Sequence, residues 1–132
     1  FKRAWQRKSF LEELSCENAY SYAVRMQRID QRMEIMIYVF WRLLLTEMHI
    51  LRIAVVAEFQ AMGVATWLLQ QCFCLAKQKK VYSVLIEVRP TNETAIALYR
   101  KSGFQLLGSR PHYDPETGGD ALVMVKQLKE HL

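Results

Sequence analysis

Along the chain the apolar residues follow two periods, and the change between them divides the sequence. Trp5 to Leu14 places Phe10, Leu11 and Leu14 at helical spacing. Tyr20 to Arg25 reads as a short strand and Met26 to Met33 as a polar turn. Glu34 to Leu45 is rich in Ile, Tyr, Val and Phe, side chains that suit a half-buried extended backbone. Thr46-Glu47 marks a tight turn into a further strand, Met48 to Val55, so an antiparallel meander is expected. Then the period lengthens. Val64, Trp67, Leu68, Cys72 and Leu75 fall near one face of a helix from Gly63 to Lys79. Val81 to Val88 is a strand, and Asn92 to Ser102 a helix closed by Gly103 as a left-handed cap. Phe104 to Tyr113 and Ala121 to Leu128 are strands joined by the loop DPETGGD. The order β-β-β-α-β-α-β-β predicts an α/β fold, a mixed twisted sheet with a βαβ crossover at its centre.

A chain of 132 residues suits a single domain, and its 52% of hydrophobic residues are enough to bury a core. The net charge of +5 fits a phosphate-bearing ligand, RNA or an acidic partner, and does not choose among them. The one basic run, Lys77-Gln78-Lys79-Lys80, stands where a helix C-terminus favours positive charge. Three cysteines make no disulfide framework and point to a reducing cytoplasm. No His or Cys grouping has metal-ligand spacing, so no metal is expected. No apolar run approaches the roughly twenty residues that span a bilayer, and no signal peptide is visible. The chain begins at Phe1 rather than Met and is treated as one N-terminally incomplete domain over residues 1–132.

The candidate chemistry lies where the period changes. VVAEFQAMGVA, residues 55–65, links a buried strand to a helix inside the βαβ unit. Helix N-terminal amides at such a place can hold pyrophosphate, and Gly63 and Ala65 are small enough for close approach. An ordinary strand-to-helix turn is the competing account. The three-glycine dinucleotide pattern and the Lys-Ser/Thr of nucleotide triphosphate loops are both absent. Glu87 shares a strand face with Ser83 and Leu85. It is either a cleft-facing carboxylate, able to take a proton from an ammonium, or an end-of-strand residue paired with Arg89 or another cation. Asn92 and Tyr99, seven apart, share a helix face; a helix N-cap and a core tyrosine are the alternatives. Glu47 is either a solvated hairpin residue or a recogniser of a positive α-amine. Cys72 and Cys74 have no nearby His pattern to activate them and read as packing residues. His49, His112 and His131 form no triad pattern.

Gln60-x-x-Gly63-x-Ala65 resembles the Q/R-x-x-G-x-G/A loop of the GCN5-related N-acetyltransferases, and the resemblance runs from Trp5 onward. HILRIAV (His49 to Val55), IEVRPTNETAIALYRKSGF (Ile86 to Phe104) and RPHYDPETGGDALVM (Arg110 to Met124) are similar to the bacterial ribosomal-protein-alanine N-acetyltransferases within that superfamily. The resemblance implies that superfamily's fold, with helices on both sheet faces and its usual first strand missing before Trp5. It implies acetyl-CoA as donor and a peptide α-amine as acceptor, the natural partner being a ribosomal protein. Ile53, Ala54 and Val55 would lie along the pantetheine. Ala61, Met62, Gly63, Val64, Ala65 and Thr66 would form the pyrophosphate cradle, with Asn92 a further contact. Glu87 would be the general base and Tyr99 the general acid in a direct transfer, and Tyr113 would line the peptide entry. Three positions depart from the family habit: Ala57 stands where Pro is common, and Ala61 and Met62 stand where Arg or a second basic residue often is. Acetyl transfer to lysine or a small amine, and a non-catalytic module binding CoA or the ribosome, are the other functions considered. Neither membrane association nor direct nucleic-acid binding is expected.

Overall fold

Three strands in succession build the first half of the molecule. The computed structural model describes residues 19–27, 29–60, 63–111 and 119–128. Strands β1 (Ala19–Gln27), β2 (Met33–Leu44) and β3 (Glu47–Val55) run antiparallel in chain order. The first hairpin is longer than its polarity suggests. Met26 pairs with Glu34 and Gln27 with Met33, so backbone pairing continues where a polar turn is expected. The second turn falls at Leu45-Thr46, with Leu45 at φ 53. Glu47 is therefore the first residue of β3, not part of the turn.

Helix α1 (Val64–Gln78) carries the chain from β3 to the parallel strand β4 (Ser83–Val88). This strand starts two residues later than Val81 because the helix needs those residues to end. Lys80 takes φ 60, its amide reaches the Lys77 carbonyl, and the Val81 amide reaches the Ala76 carbonyl. A tight turn over Arg89–Asn92, with Pro90 second, leads into α2 (Glu93–Lys101). That helix also closes with a left-handed residue, Gly103 at φ 101. The Gly103 amide donates to Arg100 and the Phe104 amide to Tyr99. Phe104 is thus part of the cap, and β5 spans Gln105–Arg110. Strand β6 (Ala121–Gln127) lies between β4 and β5, giving the sheet order β1-β2-β3-β4-β6-β5.

Alternate strand residues make the core. Ile37, Val39, Trp41, Met48, Ile50, Val84, Ile86, Val88 and Met124 are buried with Leu68, Leu69, Cys72, Phe73 and Ala76 of α1 and Tyr99 of α2 in one cluster. The helix expected from Trp5 to Leu14 lies outside the described residues. Among the described residues no helix is long and apolar enough to cross a membrane.

The sheet's central pair does not run its full length together. Strand β3 pairs with β4 only from Glu47 to Ile50, against Ser83 to Ile86. The cause lies on the other side of β3, where Phe40 faces Arg52 but Trp41 faces Ile50. Leu51 is the extra residue of a β-bulge, which bends its strand and raises its twist. From Leu51 onward β3 pairs with β2 alone, while Glu87 and Val88 of β4 pair with β6 alone. A gap opens between the two parallel strands at their C-terminal ends.

Candidate functional site

The gap exposes backbone. Val56 donates its amide to Met36 at 3.0 Å, which fixes the side of β3 that faces β2. In an extended strand successive amides alternate in direction, so the groups of Ile53 and Val55 point the opposite way, into the gap. The Val55 carbonyl is reached there by the side chain of Gln60, Nε2 to O 3.2 Å. Gln60 follows a single helical turn, Ala57–Phe59, anchored by the buried Phe59. The first residue of the Q-x-x-G-x-A loop thus ties the loop back to the strand it leaves.

Gly63 starts α1 at φ 78, ψ 6, a conformation that a side chain makes costly. A Cβ placed there would meet nothing within 4 Å, so the need for glycine is one of backbone conformation and not of crowding. The Gly63 carbonyl accepts the amide of Trp67 at 3.0 Å, which leaves Val64, Ala65 and Thr66 without acceptors inside the helix. Among the described residues no side chain caps them, and the first turn holds no acid. Free amides and the positive end of a fifteen-residue helix suit the pyrophosphate of CoA. Ala61 and Met62 lie outside the described residues.

Glu87 sits on β4 one residue past the last pair with β3, on the face opposite the core. Its Oε1 receives a bond from Arg110 Nη1 at 3.0 Å; the side chain is 31% exposed and that of Arg110 55%. The pairing with a cation expected for an end-of-strand carboxylate is present, with Arg110 rather than Arg89. Arg110 reaches it across β6. Asn92 is the N-cap of α2: its Oδ1 accepts the Ala95 amide at 3.2 Å. The amide nitrogen of the same side chain keeps its two donors for other use.

Tyr99 is 6% exposed and belongs to the core cluster, on the side of the sheet opposite Glu87. Its ring meets Phe104 edge-on at 5.7 Å, the apolar contact that goes with the α2 cap. Burial pushes its hydroxyl up to about 12, and no described residue accepts a hydrogen bond from it. Glu87 and Tyr99 therefore stand on opposite sides of the sheet.

Other expected residues stand elsewhere. Glu47 is at the far end of β3, four residues or about 13 Å from the bulge. Its Oε2 meets His49 Nε2 at 2.9 Å. Tyr113 lies outside the described residues. Cys72 is buried, and burial raises its thiol to about 11, so it stays protonated at neutral pH. Among the described residues no group of His, Cys, Asp and Glu could hold a metal ion. Arg110 is the site residue that local sequence does not reveal, because 23 positions separate it from Glu87.

Comparison with known proteins meets this geometry. Residues 4–104 match the model of the acetyltransferase (GNAT) family. A Bacillus subtilis protein, provisionally named ribosomal protein bS18-alanine N-acetyltransferase, is 29% identical over 130 residues, covering 98% of this chain and 83% of that protein. The crystal structure of the ribosomal-protein-S18-alanine N-acetyltransferase from Escherichia coli superposes with a TM-score of 0.80 at 25% identity, over 97% of this chain and 80% of that one. Arabidopsis thaliana NAA60 in complex with acetyl-CoA shares the fold, with a TM-score of 0.81 at 17% identity over 95% of this chain and 85% of that one. For several other curated relatives the matched part spans half their length or less.

Proposed function

The chain belongs to the acetyltransferase (GNAT) family, and on that premise we propose that it moves an acetyl group from acetyl-CoA to the α-amine of a protein N-terminus, with an N-terminal alanine of a ribosomal protein as its target. The carrying observation is the gap between two parallel strands that ends at an uncapped helix N-terminus. The gap-facing backbone of Ile53 and Val55 suits the pantetheine arm, and the amides of Gly63 to Thr66 suit the pyrophosphate. Cradle and gap are continuous through the bond from Gln60 to Val55. The relatives named for alanine acetylation support the choice of acceptor.

In this mechanism Glu87 removes a proton from the incoming ammonium, directly or through water. The freed lone pair forms a bond to the thioester carbonyl carbon. A β3 amide, that of Val55, donates to the oxygen as negative charge develops there. As the carbon–sulfur bond breaks, its electron pair leaves on sulfur, which takes the Tyr99 proton, and the second proton of the attacking nitrogen passes through solvent to restore the Tyr99 hydroxyl. A hydroxyl at about 12 stays protonated throughout the neutral range, so the donor is always present. An ordinary thiol ionises near ~8.5, so Tyr99 meets the thiolate first as a hydrogen-bond donor and gives up its proton only as the thiol forms.

The test uses acetyl-CoA with two peptides, one with a free N-terminal alanine and no lysine, the other N-terminally blocked and containing lysine. Mass spectrometry locates any acetyl group. Modification of the first peptide alone is the expected result. Modification of the second alone replaces the reading with lysine acetylation.

A further inference from the structure

We propose that Arg110 is a positioning residue for the base, holding one oxygen of Glu87 so that the other is presented to the acceptor amine. This inference rests on the acetyltransferase reading of Glu87 and deepens it.

Glu87 pairs across the sheet with Val123 of β6, and Arg110 of β5 pairs with Ala121 of the same strand. Directly opposed residues in antiparallel strands share a face, as do residues two apart. All four therefore lie on one face, with β6 between the two charges. The span is two strand spacings, about 10 Å between backbones. A long side chain is needed to cross it, and the smaller Ala121 leaves the way open. Nη1 arrives at Oε1 at 3.0 Å, while Oε2 has no partner among the described residues.

Stability does not account for this arrangement. Both side chains are substantially exposed, and a pair of that kind contributes roughly 0–1 kcal/mol. A carboxylate that must meet an amine at the end of a strand gains more from a fixed orientation. A misplacement of about 1 Å can cost roughly a hundredfold in rate. An arginine donor fixes the carboxylate by direction as well as by charge, which an ammonium does less well.

The experiment measures steady-state acetylation of the alanine peptide by wild type, Arg110→Ala, Arg110→Lys, Glu87→Gln and the Arg110→Ala/Glu87→Gln double variant. Thermal melts check that each is folded. For Arg110→Ala we expect kcat to fall about tenfold, within the reach of acid–base catalysis, with the acetyl-CoA KM unchanged. Arg110→Lys should recover part of the loss. In the Glu87→Gln background, removing Arg110 should change nothing further, because it acts through that carboxylate. An unchanged kcat in a folded Arg110→Ala protein overturns the proposal, and so does a loss that adds fully to that of Glu87→Gln. A wild type that acetylates neither peptide rejects the functional reading itself, and the role of Arg110 falls with it.

Discussion

The Glu87 carboxylate combines partial exposure with an ion pair, and one substitution separates what each contributes. Glu87→Gln keeps an oxygen for Arg110 to bond but can no longer take a proton. Turnover should fall by about a hundredfold or more, with acetyl-CoA binding kept, as read from kcat and KM with the alanine peptide. Wild-type turnover in that variant would remove the base assignment. Tyr99→Phe should slow turnover while binding of acetyl-CoA stays. Its pH behaviour is set by burial. Burial pushes the hydroxyl up to about 12 in the folded chain, above the usual tyrosine value of about 10. A group raised on folding stabilises fully below its unfolded value and loses that contribution as pH climbs through the folded one. Between pH ~10 and ~12 the wild type should therefore lose roughly 2–3 kcal/mol that Tyr99→Phe does not lose, measured by denaturant melts of both proteins. Glu87, Asn92 and Tyr99 could be singled out because the family spacing they resemble is local to one strand and one helix, and the helix cap and core tyrosine expected as alternatives are both present. The partner of Glu87 could not. Arg110 meets it only once β6 has been inserted between β4 and β5, and no local pattern records that event.

At the scale of elements, the two features that make the site are a bulge and a helix start, and they differ in legibility. The apolar alternation of β3 runs Met48, Ile50 and then changes phase to Ile53, Val55. That phase change marks Leu51, but it reads as a bulge only when the register against β2 is known. The glycine at the start of α1 was expected as a close-approach position; what the structure shows is a conformational reason for it, its φ of 78. Gly63→Ala should cost about 1 kcal/mol of stability, since the strain lies in the backbone and not in crowding. The acetyl-CoA KM should also rise as the helix start shifts. A melt lowered with KM unchanged would show that the loop is an ordinary turn. Asn92 allows a cleaner separation. Asn92→Asp keeps the capping oxygen and exchanges two donors for negative charge. Its melting temperature should stay near wild type while the acetyl-CoA KM rises. An unaltered KM would reduce Asn92 to a helix cap.

For the whole molecule, element order led correctly to a mixed sheet with a parallel pair at its centre, because a helix between two strands demands a crossover. The order of the last two strands was open, and it is this order that decides which charges face Glu87. Binding and chemistry are also divided at this scale. In the proposed reaction the cradle is backbone, and the proton chemistry falls to side chains on opposite sides of the sheet. A ligand that binds only the folded chain raises its stability by RT ln(1 + [L]/Kd), about 2.7 kcal/mol at a hundredfold excess over Kd. For a chain of this size that is a melting shift of roughly 10 °C. Acetyl-CoA should produce this shift in the wild type and equally in Glu87→Gln, which leaves the backbone untouched. In Gly63→Ala the shift should shrink, by about 1.4 kcal/mol for each tenfold loss of affinity. Equal shifts in all three proteins would place the ligand away from the start of α1. No shift in any of them would leave the gap between β3 and β4 without the ligand its free amides are suited to hold.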